Sequence, residues 1–261
     1  MVTPPSYYNN YVLWLTIVLD HLSRPTVEQL HNSHPNAHFL VGLGLKNWFN
    51  QCGIDKVVEL DWWHDADVTL TQNSNEKRAS IPSSSGASNT SSNIIARISC
   101  LPSQHTSART AWDKGLTLWC SWAIESGGKK VWFAGDTGYR TVPEVPKGVD
   151  DYGEEFKDLP YCPAFKQIGD LRGPFDLGLI PIGAYNPRDL MSPVHANPFD
   201  SVNIFADTKC KKAMGIHWGT WVLTLEDVLE PPALLRQAMK WKGLPELGVF
   251  DVCDIGESRD F

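Results

Sequence analysis

Short apolar runs separated by polar stretches rich in Gly, Pro and Ser set the rhythm of this chain, and the spacing within each run predicts its element. Strands are expected at 176–182 and 212–216, where an initial Asp176 and Lys212 are each followed by an unbroken apolar run, the pattern of strands buried on both faces. Residues 37–43 and 56–60 read as strands on either side of a helical segment, 44–52, where Leu45, Trp48 and Phe49 recur at helical spacing and Gly53 stops the run. Residues 24–31 predict a short helix, because Ser23 can cap it and Pro25 fits the first turn. Strands are further expected at 93–101, 116–125 and 130–134, the last two joined by a Gly127-Gly128 hairpin turn. Helices are expected at 198–207 and 232–242, with a closing strand at 249–254. The result is an α/β reading, a layered sheet with helices on its outer faces.

Two stretches break that rhythm. Residues 71–93 turn to Ser, Asn and Gly, too polar to bury a face, and are expected as a flexible surface insertion. Residues 11–19 are apolar but too short to span a bilayer, and no Lys or Arg precedes them as in a signal peptide; a buried strand is expected instead.

Composition narrows the class. A chain of 261 residues fits one domain, and a formal net charge of −7 argues against nucleic acid as a partner. The six cysteines show no C-x-x-C spacing, so a zinc ribbon or redox motif is not suggested and an intracellular setting is expected. The sequon Asn89-Thr90-Ser91 would matter only in a secreted chain.

The candidate chemistry gathers where predicted strands end. Asp20 with His21, His105, Asp136 and His217 each stand at or just past a strand's C-terminal end, where a rigid sheet can present side chains to one cleft. Asp136 sits in Phe133-Ala134-Gly135-Asp136-Thr137-Gly138, and its two oxygens can bridge two cations. Alone, each has a plainer explanation: Asp-Thr-Gly is commonly a turn, and a single His after a strand is commonly a core residue. Their combination points to metal chemistry.

In order and context these segments resemble the metallo-β-lactamase superfamily, and within it the branch of N-acylphosphatidylethanolamine-hydrolysing phospholipases D. The resemblance rests on Val58-Glu59-Leu60-Asp61-Trp62-Trp63, Ser103-Gln104-His105-Thr106-Ser107-Ala108-Arg109, Phe133 to Tyr139, Pro181-Ile182-Gly183-Ala184-Tyr185-Asn186-Pro187-Arg188, Ile216-His217-Trp218-Gly219-Thr220 and Leu229-Glu230-Pro231-Pro232. It implies an αββα layered sandwich, here as one domain over 1–261 with an incomplete N-terminal half and an atypical stretch at 1–19. It also implies two zinc ions, one held by two N-terminal histidines with His105 and Asp136, the other by Asp20, His21, His217 and the shared Asp136. A metal-activated hydroxide would attack phosphorus, and His195, in Ser192-Pro193-Val194-His195-Ala196-Asn197-Pro198, matches a histidine near the substrate phosphate.

The chain departs from that pattern at one place. Counting back from His21, the motif His-x-His-x-Asp-His requires histidines at 16 and 18, where Thr16 and Val18 stand. Neither side chain is a useful zinc ligand, so one zinc or none is expected. Three functions follow: a zinc-dependent phospholipase D releasing an N-acylethanolamine and a phosphatidic acid; an impaired paralogue or shortened form acting as a binding or scaffold protein; and a different hydrolase of the same fold. A phospholipid substrate, peripheral membrane association and a homodimer are the partners the resemblance implies.

Overall fold

The computed structural model describes residues 14–15, 22–70, 94–108, 110, 112–146 and 148–261. The expected insertion at 71–93, most of the stretch 1–19, and Asp20 and His21 lie outside the described residues.

The elements form two sheets. In the smaller, β1 (Trp14–Leu15), β2 (Phe39–Gly42) and β3 (Val57–Leu60) pair in parallel in that order, connected by α1 (Arg24–Ser33) and α2 (Lys46–Gln51). The larger contains β4 (Asp65–Leu70), β5 (Ile94–Leu101), β6 (Ser121–Ser126), β7 (Lys129–Phe133), β8 (Phe175–Pro181), β9 (Cys210–Ile216) and β10 (Phe250–Asp251). Its seven strands lie in the order β10-β9-β8-β7-β6-β5-β4. Strands β4 to β7 meander antiparallel, whereas β7, β8, β9 and β10 are parallel. Four helices accompany this sheet: α3 (Ala164–Leu171), α4 (Arg188–Met191), α5 (Pro198–Asp207) and α6 (Glu230–Trp241).

The alternation of side chains along the strands explains the layers. On β2, Phe39 and Val41 pack with Val27 and Leu45 beside the α1–α2 helices, while the intervening Leu40 joins Leu60, Ile98, Cys100 and Trp122 between the two sheets. On β6, Trp122 faces that inter-sheet core, and its neighbour Ala123 faces the opposite core with Trp132, Phe165 and Val202. Central positions are thus covered on both faces, which is why β2 and the last four residues of β5 are buried throughout. Trp122 and Trp132 are fully buried, each contributing roughly 4–6 kcal/mol of apolar burial at most. The polar edge of Trp132 is satisfied as well: Nε1 donates to Ser121 Oγ at 3.1 Å.

Several boundaries differ from expectation. Residues 116–120 are not in a strand, because the chain there turns towards the small sheet, where Leu118 N donates to Leu43 O at 2.8 Å. The closing strand is two residues long, not 249–254. The sequence reading did not anticipate β4, α3 or α4. No helix among the described residues is long and apolar enough to cross a membrane.

Candidate metal centre

Strand direction places the functional side chains. Strands β5 and β7 each run antiparallel to β6, so they share a direction, and β8 and β9 follow it. Their C-terminal ends therefore open onto one edge of the sheet. His105 stands four residues beyond β5, Asp136 three beyond β7, and His217 directly after β9. Between them, the connection from α4 to α5 carries His195.

These four residues converge. Donor atoms of His105, Asp136 and His195 all lie within 4.8 Å of one another. His217 Nε2 is 3.3 Å from Asp136 Oδ1, and the ring of His195 lies 5.3 Å from those of both His105 and His217. Asp136 itself is buried. Asp20 and His21, which the sequence adds to this set, are outside the described residues.

Two of the imidazoles are oriented by backbone carbonyls. His105 Nδ1 is 2.6 Å from Thr106 O, so in that ring the Nδ1 proton is donated and Nε2 is left as a base, whereas His217 lies between two acceptors, its Nδ1 3.3 Å from Gly183 O and its Nε2 3.3 Å from Asp136 Oδ1. Among the described residues nothing hydrogen-bonds to the buried His105 Nε2. A buried nitrogen lone pair beside a carboxylate and further imidazoles fits a divalent cation, whose histidine ligands usually have their other nitrogen fixed in this way. His217 has φ 61° and Ala184, next to the Gly183 whose carbonyl faces it, φ 64°. Left-handed backbone at non-glycine residues costs about 1–3 kcal/mol and concentrates at functional sites.

Sequence reasoning missed the residues that fasten the centre. Gln104 joins three segments: its backbone N–H donates to Thr137 Oγ1 at 2.8 Å, its carbonyl accepts from Gly138 N at 2.7 Å, and its side-chain amide donates to Pro193 O at 2.9 Å. Ala196 N donates to Thr137 O at 2.7 Å. Gly138 is required by this packing, since a Cβ there would lie 2.5 Å from Ser192 O and 2.6 Å from Pro193 O. Glu226 receives the backbone N–H groups of Ala184 at 2.6 Å, Tyr185 at 3.3 Å and Asn186 at 3.1 Å, as well as the Thr224 hydroxyl at 2.7 Å. The only available signal was that Gln104 and Thr137 adjoin candidate ligands.

Behind the centre is a second polar cluster. Asp200 accepts from Arg140 Nε at 3.1 Å, Arg188 Nη2 at 2.7 Å and the Tyr152 hydroxyl, while Asp151 accepts from Arg188 Nε at 2.7 Å. The Arg140 guanidinium lies 3.5 Å above the Tyr152 ring. Burial opposes the Arg188 charge, but Asp200 and Asp151 outweigh it and hold the guanidinium above its ordinary value. Burial, followed by the Asp200 charge, pushes the Tyr152 hydroxyl well up, so it remains a donor.

A mixed sheet between helical layers, with imidazoles and a carboxylate on the C-terminal edge of its strands, defines the class as a metallo-hydrolase-like αββα sandwich. The chain belongs to the beta-lactamase superfamily domain family, whose model matches residues 10–152 and 156–218. It is 32% identical over 244 residues to the N-acyl-phosphatidylethanolamine-hydrolyzing phospholipase D 1 of Caenorhabditis elegans, covering 91% of this chain and 57% of that protein. It is 30% identical over 243 residues to the mitochondrial N-acyl-phosphatidylethanolamine-hydrolyzing phospholipase D of Saccharomyces cerevisiae, covering 90% and 43%. The chain thus spans about half the length of these relatives. Among solved structures it is similar in fold to Igni18, a metallo hydrolase of Ignicoccus hospitalis, with a TM-score of 0.55, 17% identity, and coverage of 95% of this chain and 77% of that one.

Proposed function

We propose that this chain acts as a zinc-dependent phospholipase D on N-acylphosphatidylethanolamine, releasing an N-acylethanolamine and a phosphatidic acid. The observation that carries this reading is the convergence of His105, Asp136, His195 and His217 on one sheet edge, in a chain similar to two proteins named for that reaction. When bound, a divalent cation lowers the pKa of a coordinated water and offsets charge developing on the phosphodiester. The protein's part is to hold His105 in the tautomer that leaves Nε2 basic, to keep His217 beside Asp136, and to supply the Asp136 charge. Asp20 and His21 are proposed as further ligands on sequence grounds.

The segment following His217 supports a lipid over a water-soluble phosphodiester. Trp221, Val222, Leu223 and Leu225 are 69–77% exposed. Their loop is nevertheless held, because Leu225 N donates to Asn186 O at 3.1 Å and Glu226 binds the facing backbone. Apolar side chains presented on a fastened loop just after a candidate ligand suit peripheral contact with a membrane surface.

A second reading is favoured by Thr16 and Val18, which remove two expected ligands. It makes the chain a binding or scaffold protein retaining at most one zinc. One experiment separates the two: the purified chain, with and without added zinc, is given N-acylphosphatidylethanolamine in mixed micelles, and released N-acylethanolamine is quantified. Zinc-dependent release that Asp136→Asn abolishes supports the hydrolase. Lipid binding without release, at any zinc concentration, overturns it in favour of the scaffold.

A further inference from the structure

We propose that His195 is a metal ligand in this chain, completing with His105 and Asp136 a three-residue site that needs no donor from positions 16 and 18. The inference deepens the metal-dependent reading above, but it concerns who holds the cation and not what is cleaved.

Three observations carry it. The first is distance: the donor atoms of His105, Asp136 and His195 are mutually within 4.8 Å. In a tetrahedral site with ligands at about 2.0–2.2 Å, donors stand roughly 3.3–3.6 Å apart. Closing from 4.8 Å or less is a matter of small side-chain rotations. The second is chemistry: two imidazoles and one carboxylate form a set known for holding divalent ions with coordination positions left open to water. Thr16 and Val18 would otherwise leave His105 and Asp136 as a two-donor remnant too weak to compete with water.

The third is the way the three donors are built in. His105, Asp136 and His195 lie on separate segments that are fastened directly to one another and not merely adjacent. Gln104, next to His105, donates to Thr137 Oγ1, which follows Asp136, and to Pro193 O, two residues before His195. Ala196, next to His195, donates to Thr137 O at 2.7 Å, and His195 N itself donates to Met191 O at 2.7 Å. Relative motion of the three side chains is thereby limited before any cation arrives, the arrangement that lowers the cost of assembling a site. His217, 3.3 Å from Asp136 Oδ1 and tied to Gly183 O, then acts as the outer partner of the carboxylate.

The test uses the full chain stripped of metal with a chelator and titrated with Co²⁺, read by visible absorption, and with Zn²⁺, read by calorimetry. One metal ion per chain is expected. His195→Ala should weaken binding by more than about 100-fold and alter the cobalt spectrum, whereas His217→Ala should weaken it by the roughly 10–100-fold typical of an outer partner. His195→Asp, which restores a donor, should recover part of the affinity with a changed spectrum. Circular dichroism and thermal midpoints identify any variant that fails to fold, and the Asp rescue keeps the question open to decision if the Ala variant does. Unchanged affinity and spectrum in His195→Ala, or no metal uptake by the parent chain, overturn the proposal. A chain that binds cobalt through His195 yet leaves the phospholipid intact would sink the proposed reaction and leave this ligand set standing.

Discussion

Two buried polar clusters lie side by side in the same layer of loops, and they are built on opposite principles. Asp136 and Arg140 are four residues apart, His195 and Asp200 five, so two segments contribute a member to each cluster. In one, two guanidiniums face two carboxylates, their formal charges cancel, and Tyr152 donates to Asp200 from the side. In the other, three imidazoles surround a single carboxylate, and the buried His105 Nε2 has no hydrogen-bond partner among the described residues. A closed cluster, one whose charges cancel, serves the fold, even with Arg140 Nη2 and Arg188 Nη1 lacking a hydrogen bond among the described residues; an open one, which surrounds a single carboxylate with imidazoles and leaves a basic nitrogen without a donor, is fitted to something added from outside. The first cluster also serves the second. Asp200 forms the capping box of α5 with Asn197, two residues past His195, so the ion-pair cluster anchors the segment on which the candidate ligand stands.

The largest expected effect comes from breaking the closed cluster. Asp200→Ala leaves Arg140 and Arg188 facing a gap, and removing one partner of a buried pair typically costs about 3–5 kcal/mol. Guanidinium-induced unfolding should show a loss of that size, while His105→Ala in the open cluster should change stability by less than about 1 kcal/mol. Equal losses from the two variants would end the distinction between the clusters.

An intermediate effect is expected where the two segments touch. A Cβ at Gly138 collides with the backbone of Ser192 and Pro193, not with a flexible side-chain end, so Gly138→Ala must move one segment against the other. Overpacking of this kind costs about 1–3 kcal/mol. Because the displaced segment carries His195, Co²⁺ affinity should fall even at temperatures where the variant is fully folded. A variant that loses stability but binds cobalt like the parent would show that the centre tolerates movement of this loop.

The open cluster was more legible in the sequence than the closed one, for a physical reason. His105, Asp136 and His217 follow apolar runs directly, so the strand pattern by itself brings them to one edge. His195 was visible only through its resemblance to a family motif, because it sits on a connection with no periodicity. Arg140, Asp151, Arg188 and Asp200 are spread over sixty residues without a spacing that links them, and their charges read as solvated surface until the fold buries them. The elements missed have similar causes. Strand β4 does alternate, with Ala66 and Val68 half-buried between exposed Asp65, Asp67 and Thr69, but Asp is disfavoured in strands and masks the period. Helix α3 buries Phe165 and Ile168 at helical spacing, yet carries Gly169, a poor helix former that is needed because a Cβ there would meet Asp207 O at 2.0 Å. Short-range preference lost to tertiary packing in both.

The smallest effect tests whether burial, and not pairing as such, gives the Arg140–Arg188 cluster its weight. Asp67 and Arg97 form an equally well-shaped pair across β4 and β5, with Arg97 Nε 2.9 Å from Asp67 Oδ1 in direct register, but both side chains are more than half exposed. The hydrogen bond from Arg97, followed by its charge, holds the Asp67 carboxyl below its usual value. A depressed folded pKa stabilises above the unfolded value and is lost as the pH falls through the folded one, so any contribution should fade only in acid, below about pH 4. Water and salt already screen such a pair at neutral pH. Asp67→Asn should therefore leave the unfolding midpoint at pH 7 within error of the parent, in low and high salt alike. A loss approaching that of Asp200→Ala would mean that geometry outranks burial here, and the contrast between the closed cluster and the surface would have to be redrawn.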